Sequence, residues 1–203
     1  MNIFIKIGLV ALFSSTLAFS AQMSDDVKKD YFKSYDYEQM GKYNEAIKVL
    51  SPLYKKYPKG YTLNLRLGWL FYLKKRYTNA VKYYKRATLA NMYALDPKLG
   101  MISVYLETQK FNEAEMVAQE LIKIDFYNYY ANLYMVQSLI AQNKLDVATK
   151  IINKMLALYP TDIKYLEQLA IVYQIQGNKY LSKLYEDILI LDPNNILVRT
   201  AQK

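Results

Sequence analysis

Twenty-two tyrosines and 27 basic residues, with no histidine and no cysteine, set the chemistry open to this chain. Without histidine it lacks the commonest general base and the commonest metal ligand. Without cysteine it has no thiol nucleophile, no disulfide, no lipidated N-terminal cysteine and no thiolate metal site. The 18 carboxylates could still act as acids and bases. No glycine-rich phosphate loop, nucleophile elbow or metal-ligand spacing accompanies them. The expectation is therefore a non-enzyme, with no cofactor and no metal.

The groups that remain suited to recognition are aromatic rings and lysines. Tyrosine joins a large apolar face to a hydroxyl that seeks a partner. The basic residues are unevenly placed. Ala46 to Leu95 contains no acidic residue yet carries Lys55, Lys56, Lys74, Lys75, Arg76, Lys82, Lys85 and Arg86. A field of one sign raises the encounter rate with anionic partners. An acidic protein, an anionic lipid surface or a cell-wall polymer would fit. Nucleic acid is not expected, because no recognition motif is present. The alternative is that these cations are a solvated outer face.

What positions these groups follows from periodicity. Apolar residues make up 53% of 203 residues and charged residues 22%, which argues against disorder, and Gly (6) and Pro (5) are scarce. Ala46, Ala80, Ala114 and Ala148 recur every 34 residues. So do Tyr37, Phe71, Tyr105, Leu139 and Tyr173, and the set Tyr43, Tyr77, Phe111 and Leu145. Leu50, Tyr84, Ala118 and Ile152 make a fourth column, and Leu53, Ala87, Leu121 and Met155 a fifth. Each period reads as two amphipathic helices joined by a short turn, which bury their stripes only by stacking on neighbours.

The columns resemble the tetratricopeptide repeat, whose period is about 34 residues. Leu67, Gly68, Phe71, Tyr77, Ala80, Tyr84 and Ala87 match its signature most clearly. The resemblance implies an all-α, right-handed superhelical solenoid with repeats at 27–60, 61–94, 95–128, 129–162 and 163–195. A lead-in (21–26) and a short cap (196–203) flank them. Departures are local. Met92 and Phe126 replace the closing proline, removing a helix stop, and Ile102 replaces a small residue, which should push its helix pair apart. One residue is missing near Gly177.

In this family partners lie along the concave face, formed by the first helices. Carried over by position, that lining includes Tyr31, Tyr35, Leu65, Trp69, Tyr72, Leu99, Ser103, Leu106, Tyr130, Leu133 and Gln137. Rigid aromatic rings in a concavity suit protein recognition. The positions that grip a terminal carboxylate in some family members carry Tyr31, Tyr35, Leu65, Trp69 and Leu99 here, with Arg66 the one base nearby. That device is not expected. The sequence thus reads as a protein-interaction scaffold that takes no small-molecule substrate. A homo-oligomer formed through the groove or the short C-terminal end is the second reading.

Residues 1–20 read as an export signal. Lys6 precedes an apolar stretch from Ile7 to Phe13, and Ala18-Phe19-Ser20 places small residues three and one before a cut at Ala21. The stretch is shorter than the roughly 20 apolar residues of a membrane span. Cleavage and delivery to a bacterial periplasm are expected, with an uncleaved N-terminal anchor as the alternative.

Overall fold

The computed structural model describes residues 25–201; residues 1–20, read above as an export signal, lie outside the described residues. Among the described residues eleven helices and no strands are present. They are α1 (Asp25–Gln39), α2 (Tyr43–Lys56), α3 (Tyr61–Leu73), α4 (Tyr77–Ala90), α5 (Asp96–Glu107), α6 (Phe111–Ile124), α7 (Tyr129–Ala141), α8 (Leu145–Leu156), α9 (Ile163–Gln176), α10 (Leu181–Leu191) and α11 (Ile196–Ala201). Consecutive helices pack in pairs, and the first helices α3, α5, α7 and α9 also pack directly on one another. That closer approach sets the first helices on the inner face of the curve.

The turn inside each pair has one geometry. Gly41, Lys75, Gln109, Asn143 and Gly177 all adopt positive φ, between 56° and 69°. Behind each, the next amide donates five residues back, to the carbonyl of Tyr37, Phe71, Tyr105, Leu139 or Tyr173. These are Schellman C-caps, which satisfy carbonyls that the helix end would otherwise orphan. Three of the five αL positions are occupied by residues that carry a Cβ, at a cost of roughly 1 kcal/mol each. Lys75→Gly and Gln109→Gly, both at exposed sites, should therefore each stabilise the fold by about 0.5–1 kcal/mol. Thermal melting checks this, and an unchanged or lower midpoint would show that the unfolded-state entropy of glycine prevails.

The core is a chain of clusters rather than one nucleus. Ala46, Leu50, Leu53, Leu63, Leu67 and Leu70 make the first, and Val136, Ile152, Val172, Ile188 and Val198 belong to the last. The alanine column 46, 80, 114, 148 is wholly buried, as the helix backbones must approach closely there. Volume is balanced within each pair. Opposite Gly68 stands Tyr84, whereas opposite Ile102 stands Ala118. Ile102 is fully buried in the cluster of Ala114 and Ala118, small residues that leave room for its bulk.

The turns that lack proline still close. α4 and α6 stop at Ala90 and Ile124. The same closing bond forms in the turn at Tyr57–Gly60, at Asn91–Ala94, at Asp125–Asn128 and at Asp192–Asn195, with N–O distances of 3.0 to 3.2 Å. Buried asparagines clamp two of these turns, one with proline and one without. Asn132 Nδ2 donates to the carbonyls of Phe126 and Asn128, and Asn64 Nδ2 to those of Pro58 and Gly60. At Asn91 the side chain accepts from the Tyr93 amide. In the fifth repeat α10 begins only at Leu181, and the one-residue deletion brings the core columns one position forward, to Tyr185 and Ile188. In the six-residue α11, Val198 is buried against Leu184, Tyr185 and Ile188 with Leu197 packed alongside, whereas Ile196 points outward at 80% exposure.

Candidate functional site

Helices α3 and α5 enclose a cleft of about 290 Å³ lined by Leu65, Trp69, Tyr72, Tyr84, Asp96, Leu99, Gly100 and Ser103. Five sequence-predicted residues meet here: Leu65, Trp69, Tyr72, Leu99 and Ser103. They do so because helical residues four apart share a face, and α3 and α5 lie side by side. Trp69 is 41% exposed and its ring stacks on Tyr72 at 5.7 Å between centroids. Burial, followed by the neighbouring Glu107 carboxylate and the phenols of Tyr77 and Tyr134, pushes the Tyr72 hydroxyl above its ordinary range. It remains a neutral phenol throughout the physiological range. The Ser103 hydroxyl is committed to the Leu99 carbonyl at 3.1 Å. Asp96 is the cleft's one carboxylate and accepts from the Tyr61 hydroxyl at 3.3 Å. Nothing in this arrangement pairs a nucleophile with a base. What it offers is a partly open apolar slot with few polar groups at its rim.

One wall of the cleft is locked from the preceding repeat. Arg66 is buried and forms an ion pair with Glu38; its guanidinium lies 3.7 Å from the Tyr35 ring centroid and donates to Ser34 Oγ at 3.3 Å. Glu38 also accepts from the Trp69 indole at 2.6 Å. Arg66 is thus internal to the α1–α3 contact and does not face a ligand. Beside it, Tyr31 is pushed up to about 12, by burial first and by Tyr35 second, against the opposing pull of Arg66. Sequence reasoning missed Glu38 as the organiser of this wall, although its position 31 residues before Trp69 was available. It also missed Gly100, whose missing side chain leaves room for the Tyr84 ring.

The remaining predicted groove residues do not join this cleft. Tyr35 is half exposed over Arg66. Leu106 packs with the α5–α7 cluster. Leu133 is only 3% exposed, packed with Met155 and Tyr165, and offers no surface to a partner. Tyr130 is exposed beside Tyr129 and Tyr134, and Gln137 is half-buried. The basic positions Lys55, Lys56, Lys75, Arg76, Lys82 and Lys85 are exposed, whereas Lys74 and Arg86 are half-buried. Arg86 leans on the rings of Tyr54 and Tyr83, 5.6 Å from each. Among the described residues none of these eight forms an ion pair. The described residues also hold no group of three or more acidic side chains placed to bind a metal ion.

A second cleft, of about 430 Å³, opens between α6 and α8 and is lined by Ile122, Lys123, Phe126, Met135, Lys150, Ile151 and Lys154 among others. Lys154 donates to Asn132 Oδ1 at 2.6 Å and to the Phe126 carbonyl at 3.1 Å. Burial lowers its affinity for the proton.

The architecture defined by these pairs is a solenoid built of antiparallel helix pairs whose inner face carries an aromatic cleft. A family model described as Tetratricopeptide repeat matches residues 33–97, the stretch that builds the first locked wall and the whole α3–α4 pair. Over those residues the chain matches the tetratricopeptide-repeat family. Solved structures extend the fold match over most of its length. A tetratricopeptide repeat protein from Parabacteroides merdae superposes with a TM-score of 0.79 at 17% identity, covering 88% of this chain and 72% of the other. MamA (residues 41 to the end) from Desulfovibrio magneticus RS-1 gives 0.76 at 15%, covering 86% and 99%. YrrB, described as a TPR protein with an unusual peptide-binding site, gives 0.69 at 14%, covering 92% and 96%. At these identities the likeness is one of fold. Comparison with curated proteins finds no match to the sequence.

Proposed function

We propose that this protein is an exported, non-catalytic scaffold that holds a segment of a partner protein in the α3–α5 cleft, as an accessory component of a bacterial envelope assembly, secretion or cell-wall complex. The observation that carries this reading is the cleft itself: Trp69 and Tyr72 stand stacked and accessible above Leu65 and Leu99. Rigid aromatic anchors in a concavity lose little side-chain entropy on binding and supply most of the affinity at protein interfaces. The family supports the reading, since its solenoids present extended concave binding surfaces, and YrrB is described by its peptide-binding site. Export rests on the signal-like residues 1–20. Among the described residues no helix is long and apolar enough to cross a membrane.

Trp69 is the only tryptophan, so its emission reports on the cleft directly. A partner captured from envelope extracts by the chain from Ala21 onward should shift that emission on titration. Trp69→Ala/Tyr72→Ala should weaken capture by at least tenfold, about 1.4 kcal/mol, with helicity unchanged. Equal capture by both proteins would remove the cleft as the site. Self-association is the second reading, favoured by Ile190 and Ile196, which stand 77% and 80% exposed at the thinly capped C-terminal end. Concentration-dependent size in solution would support it.

A further inference from the structure

The turns between repeats carry a row of aromatic side chains that the fold does not require. All second helices run the same way, so their C-terminal turns share one edge of the solenoid. Along it stand Tyr57 (45% exposed), Met92 (65%), Tyr93 (79%), Phe126 (56%) and Tyr127 (52%). The last such turn, Asp192-Pro193-Asn194-Asn195, makes the same closing hydrogen bond without an aromatic residue. Turn geometry therefore does not select the rings. The core does not hold them either, as each leaves about half or more of its surface in water.

Lysines stand among these rings. Lys55, Lys56 and Lys59 are exposed on either side of Tyr57, and the Lys56 ammonium lies 5.2 Å from its ring centroid. Lys154 lies 4.0 Å from the Phe126 centroid, and Lys123 is exposed nearby. The edge has acids too, but they serve its caps. Asp125 accepts from Asn128, and Asp162 from Tyr129 and the Tyr165 amide. The two turns at 57–60 and 91–94 contain none. Rings with a polar tip, strung in a line with lysines between them, match the boundary of a lipid bilayer, where tyrosine sits at headgroup depth and lysine meets lipid phosphate. A protein hot spot would gather its rings into one packed pocket, as the α3–α5 cleft does; on this edge Phe126 packs on Tyr127 and borders the second cleft, but Tyr57 and Tyr93 stack on no other ring among the described residues.

We infer that this edge docks the solenoid on an anionic lipid surface, with Tyr57, Met92 and Tyr93 entering the interface and Lys55, Lys56 and Lys59 pairing with headgroups. The surface is separate from the α3–α5 cleft, so the protein can lie on a bilayer while the inner face holds a partner. The test is sedimentation with vesicles of phosphatidylglycerol and phosphatidylcholine (1:1) or of phosphatidylcholine alone. It uses the chain from Ala21 onward, which contains every described helix and leaves out the apolar leader. The protein should partition onto the anionic vesicles and much less onto the neutral ones, and 1 M salt should reduce binding. Tyr57→Ser/Tyr93→Ser/Tyr127→Ser should lower partitioning at least about tenfold, and so should Lys55→Gln/Lys56→Gln/Lys59→Gln. Trp69→Ala/Tyr72→Ala should partition as the parent does, which separates this surface from the cleft. Equal sedimentation with both vesicle types, or full partitioning by the tyrosine variant with its helicity intact, would overturn the inference.

Discussion

Gly68→Val is expected to lower the free energy of unfolding by about 3 kcal/mol, because the space a Cβ would need is already filled. A Cβ built on Gly68 would lie 2.5 Å from Tyr84 Cδ1, and one on Gly100 would lie 2.4 Å from Tyr84 Cζ. The ring is 2% exposed and is gripped between α3 and α5, so it cannot swing away from one glycine without meeting the other. Alanine at Gly68 would recover up to about 1 kcal/mol of helix propensity and mask part of the clash. Valine recovers little and adds two methyl groups. The measurement is chemical unfolding of Gly68→Val, Tyr84→Ala and the double variant. Removing the ring leaves a cavity that the valine can enter, so the double variant should be more stable than the sum of the single losses by at least about 1.5 kcal/mol. Strict additivity would show that Gly68 and Tyr84 do not compete for the same space.

This pair also shows how far the sequence could be read. Gly68 and Tyr84 lie on columns of period 34, and so do the alanines of the second helices; repetition makes such positions visible because every repeat must solve the same packing problem. Gly100 was not visible. Its column reads Phe32, Arg66, Gly100, Tyr134 and Gln168, and its need for glycine comes from a ring belonging to the repeat before it. The same holds for the asparagine clamps. Asn64 and Asn132 are two periods apart, but Lys98 and Leu166 occupy the positions between and after them. There the contact is made with other chemistry: Lys98 reaches Glu120 at 3.8 Å, and Leu166 joins the apolar cluster of Ile188. A contact that each repeat makes differently leaves no column to find. The cleft falls between these cases. Family positions brought Leu65, Trp69, Tyr72, Leu99 and Ser103 together, but they also nominated Leu133, which the curvature of the array buries against Tyr165.

The second large effect is expected at Glu38→Gln, which keeps the shape of the side chain and removes its charge. Arg66 has a side chain only 5% exposed and Glu38 one 21% exposed, so their pairing is little screened by water or salt. Among the acids of the described residues, Glu38 alone forms an ion pair with Arg66. Neutralising it leaves a buried guanidinium without its counter-charge, which costs about 2–3 kcal/mol after allowance for the partial exposure of the carboxylate. Arg66→Met/Glu38→Leu removes both charges and should recover most of that loss, since apolar replacement of a whole buried pair is often near neutral. The consequence for function runs through the indole. Trp69 donates to Glu38, so in the double variant the ring loses the bond that fixes its angle above the cleft while the fold is retained. Its emission should then move and broaden, and the affinity of any cleft ligand should fall although no residue touching the ligand has changed. If Glu38→Gln melts with the parent, Arg66 is solvated well enough to stand alone; if the double variant leaves the emission as it was, the α1–α3 lock does not position the cleft.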